Sequence, residues 1–171
     1  LLERFNAWYS ISMTTRPKRE NEIDKVNYFF VTKEQFEENI KEDGFIEYAT
    51  YNNNYYGTPR KEIDNKLNNN IDVIAEIEVK GAKKVKELYK DSVLIYILPP
   101  SFEELETRLR NRNTEDNTTI EKRLNIAKEE LKQIDIYDYV VVNNTVEETT
   151  NKVINIIESE KSKVSRNNII I

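Results

Sequence analysis

Short apolar runs rich in Ile, Val and Tyr recur along this chain ahead of helical segments, at Ile71 to Val79, Ser92 to Leu98 and Tyr139 to Val142. Continuous apolar runs, unlike alternating ones, suit strands covered on both faces, as in a parallel sheet flanked by helices. Helix starts are marked by a hydroxyl residue with Gln or Glu three positions later: Thr32 with Gln35, Ser101 with Glu104, and Thr145 with Glu148. Each such pair can satisfy backbone N–H groups that have no partner in a first helical turn. The chain is therefore expected to fold as an α/β protein, and its 171 residues suffice for one domain with a real core.

Between Asn27 and Tyr56 the pattern changes. Three short aromatic strands are expected at Tyr28 to Val31, Phe45 to Tyr51 and Asn54 to Tyr56, with a helix from Lys33 to Ile40. They suggest a small mixed sheet appended to the parallel one. A further strand is expected at Trp8 to Ile11. Arg108 to Lys132 is charged and mostly helical, broken by polar Asn111 to Thr119, and looks like a helix-turn-helix excursion. Thr145 to Lys161 closes the domain, and Ser162 to Ile171 is expected to be a loose tail. No internal repeat or Gly/Ser linker divides the chain.

Net charge is -5, from 31 acidic and 26 basic residues, which argues against nucleic acid as a partner, because that affinity comes from Lys and Arg neutralising phosphates. With no Cys and no His, disulfides, thiolate metal sites and imidazole acid/base chemistry are excluded. Catalysis would run on Arg, Lys, carboxylates and positioning. No run approaches the roughly 20 apolar residues of a membrane helix, so a soluble, cytoplasmic protein without a membrane partner is expected. The only Met is Met13, and the sequence looks like part of a longer reading frame or one whose beginning has been lost.

The densest polar constellation is Ser12-Met13-Thr14-Thr15-Arg16-Pro17-Lys18-Arg19, directly after an apolar strand. Two guanidiniums three residues apart, with hydroxyls beside them, can clamp a phosphate, since Arg presents a planar fork to paired oxygens; a solvated basic turn is the plainer reading. Glu47, in Phe45-Ile46-Glu47-Tyr48-Ala49, either faces water or accepts a ligand's N–H groups, and guanine offers N1–H and a 2-amino group together. Tyr28, Tyr55 and Tyr56 read equally as packing residues with a wet tip.

In order along the chain, these segments resemble the guanylate kinase family, which transfers a phosphoryl group from ATP to GMP. The resemblance is carried by Ser-Ile-Ser-Met-Thr-Thr-Arg-Pro-Lys-Arg, Val-Asn-Tyr-Phe-Phe-Val, Phe-Ile-Glu-Tyr-Ala, Asn-Tyr-Tyr-Gly-Thr, Leu-Ile-Tyr-Ile-Leu-Pro-Pro-Ser and Tyr-Val-Val-Val-Asn-Asn, from Trp8 to about Glu160. It implies a nucleoside monophosphate kinase fold of the P-loop NTPase type: a three-layer parallel sheet, here without its first strand. One guanylate kinase-like domain would span residues 1–161, with a GMP-binding subdomain over about 24–59 and a lid over about 108–132. By the same resemblance Arg16 and Arg19 clamp the GMP phosphate, joined by the hydroxyls of Tyr28 and Tyr56, while Ser12, Glu47 and Thr58 read the guanine edge. Arg112 and Arg123 match the family's lid arginines, which stabilise charge on the transferring group. Asn143 matches a residue beside the adenine pocket. ATP and Mg2+ are expected as for the family, with no other metal.

Glu78 stands where the family usually has an Asp at the guanine side, Lys80 where Gln is common, and the lid turn reads Asn111-Arg112-Asn113-Thr114 in place of Gly-Arg-Gly-Thr. The three glycines, Gly44, Gly57 and Gly81, do not form G-x-x-x-x-G-K-S/T, the phosphate-cradling loop that opens the family's fold. Leu1 to Asn6 reads as the tail of the helix that follows such a loop. Without the loop the chain is expected to keep GMP binding and lose turnover, and is similar to homologues encoded by orthopoxviruses; its Asn, Lys and Ile richness suits an AT-rich genome. Guanylate-kinase-like interaction modules, which bind phosphorylated partners at the old GMP site, are the alternative. They tend to lose the guanine-reading set that stands here as Ser12, Glu47 and Thr58.

Overall fold

The computed structural model describes residues 1–2, 4–5, 7–111 and 116–167. Contacts group the chain into two compact units, Leu1–Ser92 and Val93–Ile171. In the first, β1 (Ala7–Tyr9), β2 (Met13–Thr14) and β3 (Phe29–Phe30) precede helix α1 (Lys33–Lys41); β4 (Phe45–Tyr51) and β5 (Asn54–Pro59) precede helix α2 (Arg60–Asn68); β6 (Asp72–Ile74) leads to helix α3 (Val79–Leu88). Strands β1 and β6 pair in parallel. The others form a four-stranded mixed sheet in the order β3-β2-β5-β4.

One face of the mixed sheet is closed by α1, which starts at a complete capping box between Thr32 and Gln35. Its Phe36 is fully buried, stacking on Phe45 at 4.3 Å and on Tyr55 at 5.1 Å between ring centroids. Gly57 is required by this packing, since a Cβ there would lie 2.8 Å from the Phe45 ring and 3.0 Å from the tip of Phe36. The β4-β5 hairpin turns through Asn52 and Asn53, both at positive φ, the conformation that matches strand twist in a two-residue loop.

Register places a set of residues at one level across all four strands. Met13 and Thr14 pair with Phe29 and Phe30 on one side, and with Gly57 and Tyr56 on the other. One step further along that register, Ser12 stands between Tyr28 and Thr58, and Thr58 pairs with Glu47. A β-bulge between Phe45 and Glu47 gives β4 an extra residue, so Glu47 turns to the opposite face from Phe45. By strand alternation, Ser12, Thr14, Arg16, Tyr28, Phe30, Tyr56, Thr58 and Glu47 share the face not covered by α1.

In the second unit β7 (Ile95–Leu98) and β8 (Tyr139–Val142) pair in parallel, with helices α4 (Phe102–Asn111), α5 (Asn117–Leu131) and α6 (Val146–Lys161). Leu109, Ile120, Val141 and Ile154 are buried. Ser101 and Thr145 accept the backbone N–H groups of Glu104 and Glu148, as their spacing predicts. Among the described residues no helix is long and apolar enough to cross a membrane.

Several expectations are corrected. The run Ile71 to Val79 is strand only at Asp72–Ile74, and Val79 already begins α3. The strands expected at Trp8 to Ile11 and Ser92 to Leu98 shorten to Ala7–Tyr9 and Ile95–Leu98, and the one at Asn54 to Tyr56 extends to Pro59. Helix α2 was not anticipated; Pro59 at its N-cap needs no amide donor there, so this start carries no hydroxyl signal. The segment after Lys161 is not loose through Asn167: Asn167 donates to the carbonyls of Lys161 and Lys163, and Arg166 and Lys163 both pair with Glu160, which is 6% exposed. Apolarity marked these strands, but where pairing stops depends on neighbours outside the local sequence.

Candidate functional site

Two clusters lie on the open face of the mixed sheet. In the first, Glu47 is half-buried and accepts a 2.7 Å hydrogen bond from the Thr58 hydroxyl, itself 2% exposed. Burial pushes the Glu47 carboxyl above the ordinary range; the Thr58 bond opposes this, nearby Glu78 adds to it, and Lys84 offsets it. The first turn of α3 abuts this carboxylate. A Cβ on Gly81 would stand 2.6 Å from Glu47 Cγ and 2.6 Å from Ile77 Cγ2, so only glycine fits without displacement. Glu78, at the N-cap of α3, is exposed and makes no side-chain capping bond. The cluster can present a partly desolvated carboxylate to a planar ligand bearing adjacent N–H groups.

The second cluster is built around Arg16. Its Nη1 donates to the Pro17 carbonyl at 2.7 Å and to Glu22 at 2.9 Å, and its Nη2 donates to Glu22 at 2.7 Å. The guanidinium lies over the rings of Tyr28 and Phe30 at 5.6 and 5.7 Å, and Tyr56 meets Tyr28 edge-on at 6.3 Å. Glu22 also accepts the Arg19 backbone N–H at 2.8 Å, and Arg16 holds its carboxyl down at about 2. Thr14, fully buried, accepts the Arg16 amide through its hydroxyl at 3.2 Å and donates to the Tyr55 carbonyl at 2.8 Å, which fixes the start of the turn. The Arg19 side chain is exposed and makes no ion pair among the described residues.

Of the residues singled out in the sequence, Glu47 with Thr58, and Arg16 with Tyr28 and Tyr56, are in contact or share one face. Ser12 lies in the same row, its carbonyl accepting the Phe29 N–H at 2.9 Å. Glu22, Gly81 and Lys84 carry no such signal in the sequence, and Thr14 stands in the polar constellation as one of its hydroxyls. Glu22 is a carboxylate three residues after Arg19, and nothing local distinguishes it from Glu20.

In the second unit, Asn143 follows β8 and donates its amide to the Leu98 carbonyl at 2.7 Å, while its own carbonyl accepts Arg108 Nη2 at 3.1 Å. It lines a cavity with Ile97, Leu98, Pro99, Leu105, Arg108 and Leu109. Arg123 lies half-buried on α5. Arg112, with Asn113 and Thr114 of the expected lid turn, lies outside the described residues.

The guanylate kinase family model matches residues 1–160. A guanylate kinase of Oceanobacillus iheyensis is 48% identical over 164 residues, covering 96% of this chain and 80% of that protein. One from Clostridioides difficile is 49% identical over 163 residues, covering 95% and 80%. The crystal structure of guanylate kinase from Anaplasma phagocytophilum superposes with a TM-score of 0.78 at 34% identity, over 94% of this chain and 79% of that one. This chain belongs to the guanylate kinase family. These relatives are bacterial, and the viral likeness noted above has no counterpart among them.

Proposed function

We propose that the open face of the mixed sheet is a GMP site and that this chain serves the reaction of its family, phosphoryl transfer from ATP to GMP. The single observation that carries the proposal is the common face: Ser12, Thr58 and Glu47 share one row of the sheet with Tyr28, and Arg16 and Tyr56 stand beside it. Glu47 accepts guanine N1–H and the 2-amino group, helped by Ser12 and Thr58, with Glu78 alongside. Adenine has no such donor pair and leaves the carboxylate unpaired. Arg16, Arg19 and the hydroxyls of Tyr28 and Tyr56 hold the phosphate.

In the reaction, an oxygen of the GMP phosphate attacks the ATP γ-phosphorus, the bond to the β-phosphate oxygen breaks, and ADP leaves. Mg2+ enters with ATP as part of that substrate. Arg123 and Arg112 stabilise charge on the transferring group, and Asn143 borders the adenine in the cavity of the second unit. The loop G-x-x-x-x-G-K-S/T is not among the 171 residues, so these residues by themselves supply the acceptor site and not the donor cradle.

Calorimetric titration with GMP and AMP tests the assignment, and equal affinities would remove its basis. A pH series tests Glu47. Because burial raises its folded-state carboxyl above the ordinary value, GMP recognition needs a carboxylate that protonates at higher pH than a free glutamate. The same raised value means that Glu47 favours the folded state most at pH below its unfolded value, and that this contribution is lost as pH rises through its folded value. Guanosine, which has no phosphate to titrate, is therefore expected to lose affinity on acidification in that range. Glu47→Gln should flatten the profile; an unchanged acid limb in that variant would assign the proton elsewhere.

A further inference from the structure

Resting on the GMP site proposed above, we propose that Glu22 is a positioning residue for the phosphate clamp: it occupies one edge of the Arg16 guanidinium so that the other edge faces the phosphate. A guanidinium carries five N–H donors in a rigid plane. Glu22 takes one from Nη1 and one from Nη2, the end-on fork, and the Pro17 carbonyl takes the second from Nη1. Nε–H and the remaining Nη2–H lie parallel on the side edge, and the Tyr56 hydroxyl, itself assigned to the phosphate, also interacts with this guanidinium. That pair forms a second fork suited to two phosphate oxygens.

Three features lock the arrangement. Arg16 and Glu22 side chains are each only 15% exposed, so the pair is shielded from water. The rings of Tyr28 and Phe30 support the guanidinium plane. Glu22 also receives the Arg19 amide, which fixes the turn carrying the second arginine. One carboxylate thus sets the orientation of Arg16 and the backbone from which Arg19 extends. Without it, Arg16 would be free to rotate, and the phosphate would have to order both groups on binding.

The test is calorimetric titration of the full chain with GMP and with guanosine. Glu22→Gln is expected to weaken GMP by about ten- to a hundredfold while leaving guanosine within about twofold, since misplaced clamp groups touch only the phosphate. Combined with Arg16→Ala, it should add little further loss, because the two act as one unit. GMP binding as tight as or tighter than the parent's would show that Glu22 competes with the phosphate, and would overturn the proposal. Equal loss of both ligands in Glu22→Gln and in Glu22→Asp would mark Glu22 as a fold residue and overturn it as well. If Arg16→Ala keeps the parent ratio of GMP to guanosine affinity, the phosphate site itself is misassigned, a failure distinct from that of Glu22.

Discussion

Prepared as these 171 residues alone, the protein is expected to bind GMP yet release no ADP from ATP above background, and to gain turnover once a strand, a G-x-x-x-x-G-K-S/T loop and a helix start are joined ahead of Leu1. Phosphoryl transfer depends on positioning and charge stabilisation, because the transition state offers the protein little covalent chemistry. The donor's phosphates need backbone N–H groups and a lysine presented by such a loop, while Arg16, Arg19, Arg112 and Arg123 are proposed to serve the acceptor and transferring groups. A coupled ADP-release assay with and without the added segment reads the difference, which should run from background to the roughly 1 to 100 per second of working kinases. Turnover by the 171 residues alone would mean that another element holds ATP. A joined protein that binds both nucleotides and stays silent would shift attention to Glu78→Asp and to Asn111→Gly with Asn113→Gly, which restore the family pattern.

The second large effect concerns the base. Glu47→Ala is expected to lower the preference for GMP over AMP by about two to four orders of magnitude, because a site that hydrogen-bonds a particular donor set rejects an analogue lacking it far more strongly than apolar fit can. Gly81→Ala should act in the same direction without removing any charge. Its methyl would fall 2.6 Å from Glu47 Cγ and 3.1 Å from Cδ, so the carboxylate must swing away from its place beside Thr58. Titration of both variants with both nucleotides checks this. A Gly81→Ala protein with unaltered discrimination would show that α3 yields and Glu47 does not.

The α/β class and, among the described residues, three of the six helix starts, those of α1, α4 and α6, could be read from the sequence because caps and apolar runs are local signals. Thr32 with Gln35 forms the capping box its spacing predicts, and Tyr139–Val142 is strand to the residue. What could not be read was non-local. The bulge that turns Glu47 onto the site face is a property of its pairing with β5, and the alternation of Phe45 to Ala49 alone would place Phe45 and Glu47 together. Gly81 looks like a helix residue until α3 is seen against β4. Glu22 became informative only once its carboxylate was found bridging Arg16 and Arg19, since a carboxylate in a basic turn is otherwise an ordinary solvated charge.

A crystal structure of the chain with GMP bound would decide whether one face of the mixed sheet holds the nucleotide. Guanine N1 and the 2-amino group are expected within roughly 3.2 Å of the Glu47 carboxylate, the hydrogen-bonding range. The phosphate is expected on Arg19, Tyr28, Tyr56 and the side edge of Arg16, with Glu22 still on the end-on edge. A nucleotide bound elsewhere, or bound here with its base turned away from Glu47, would contradict this placement.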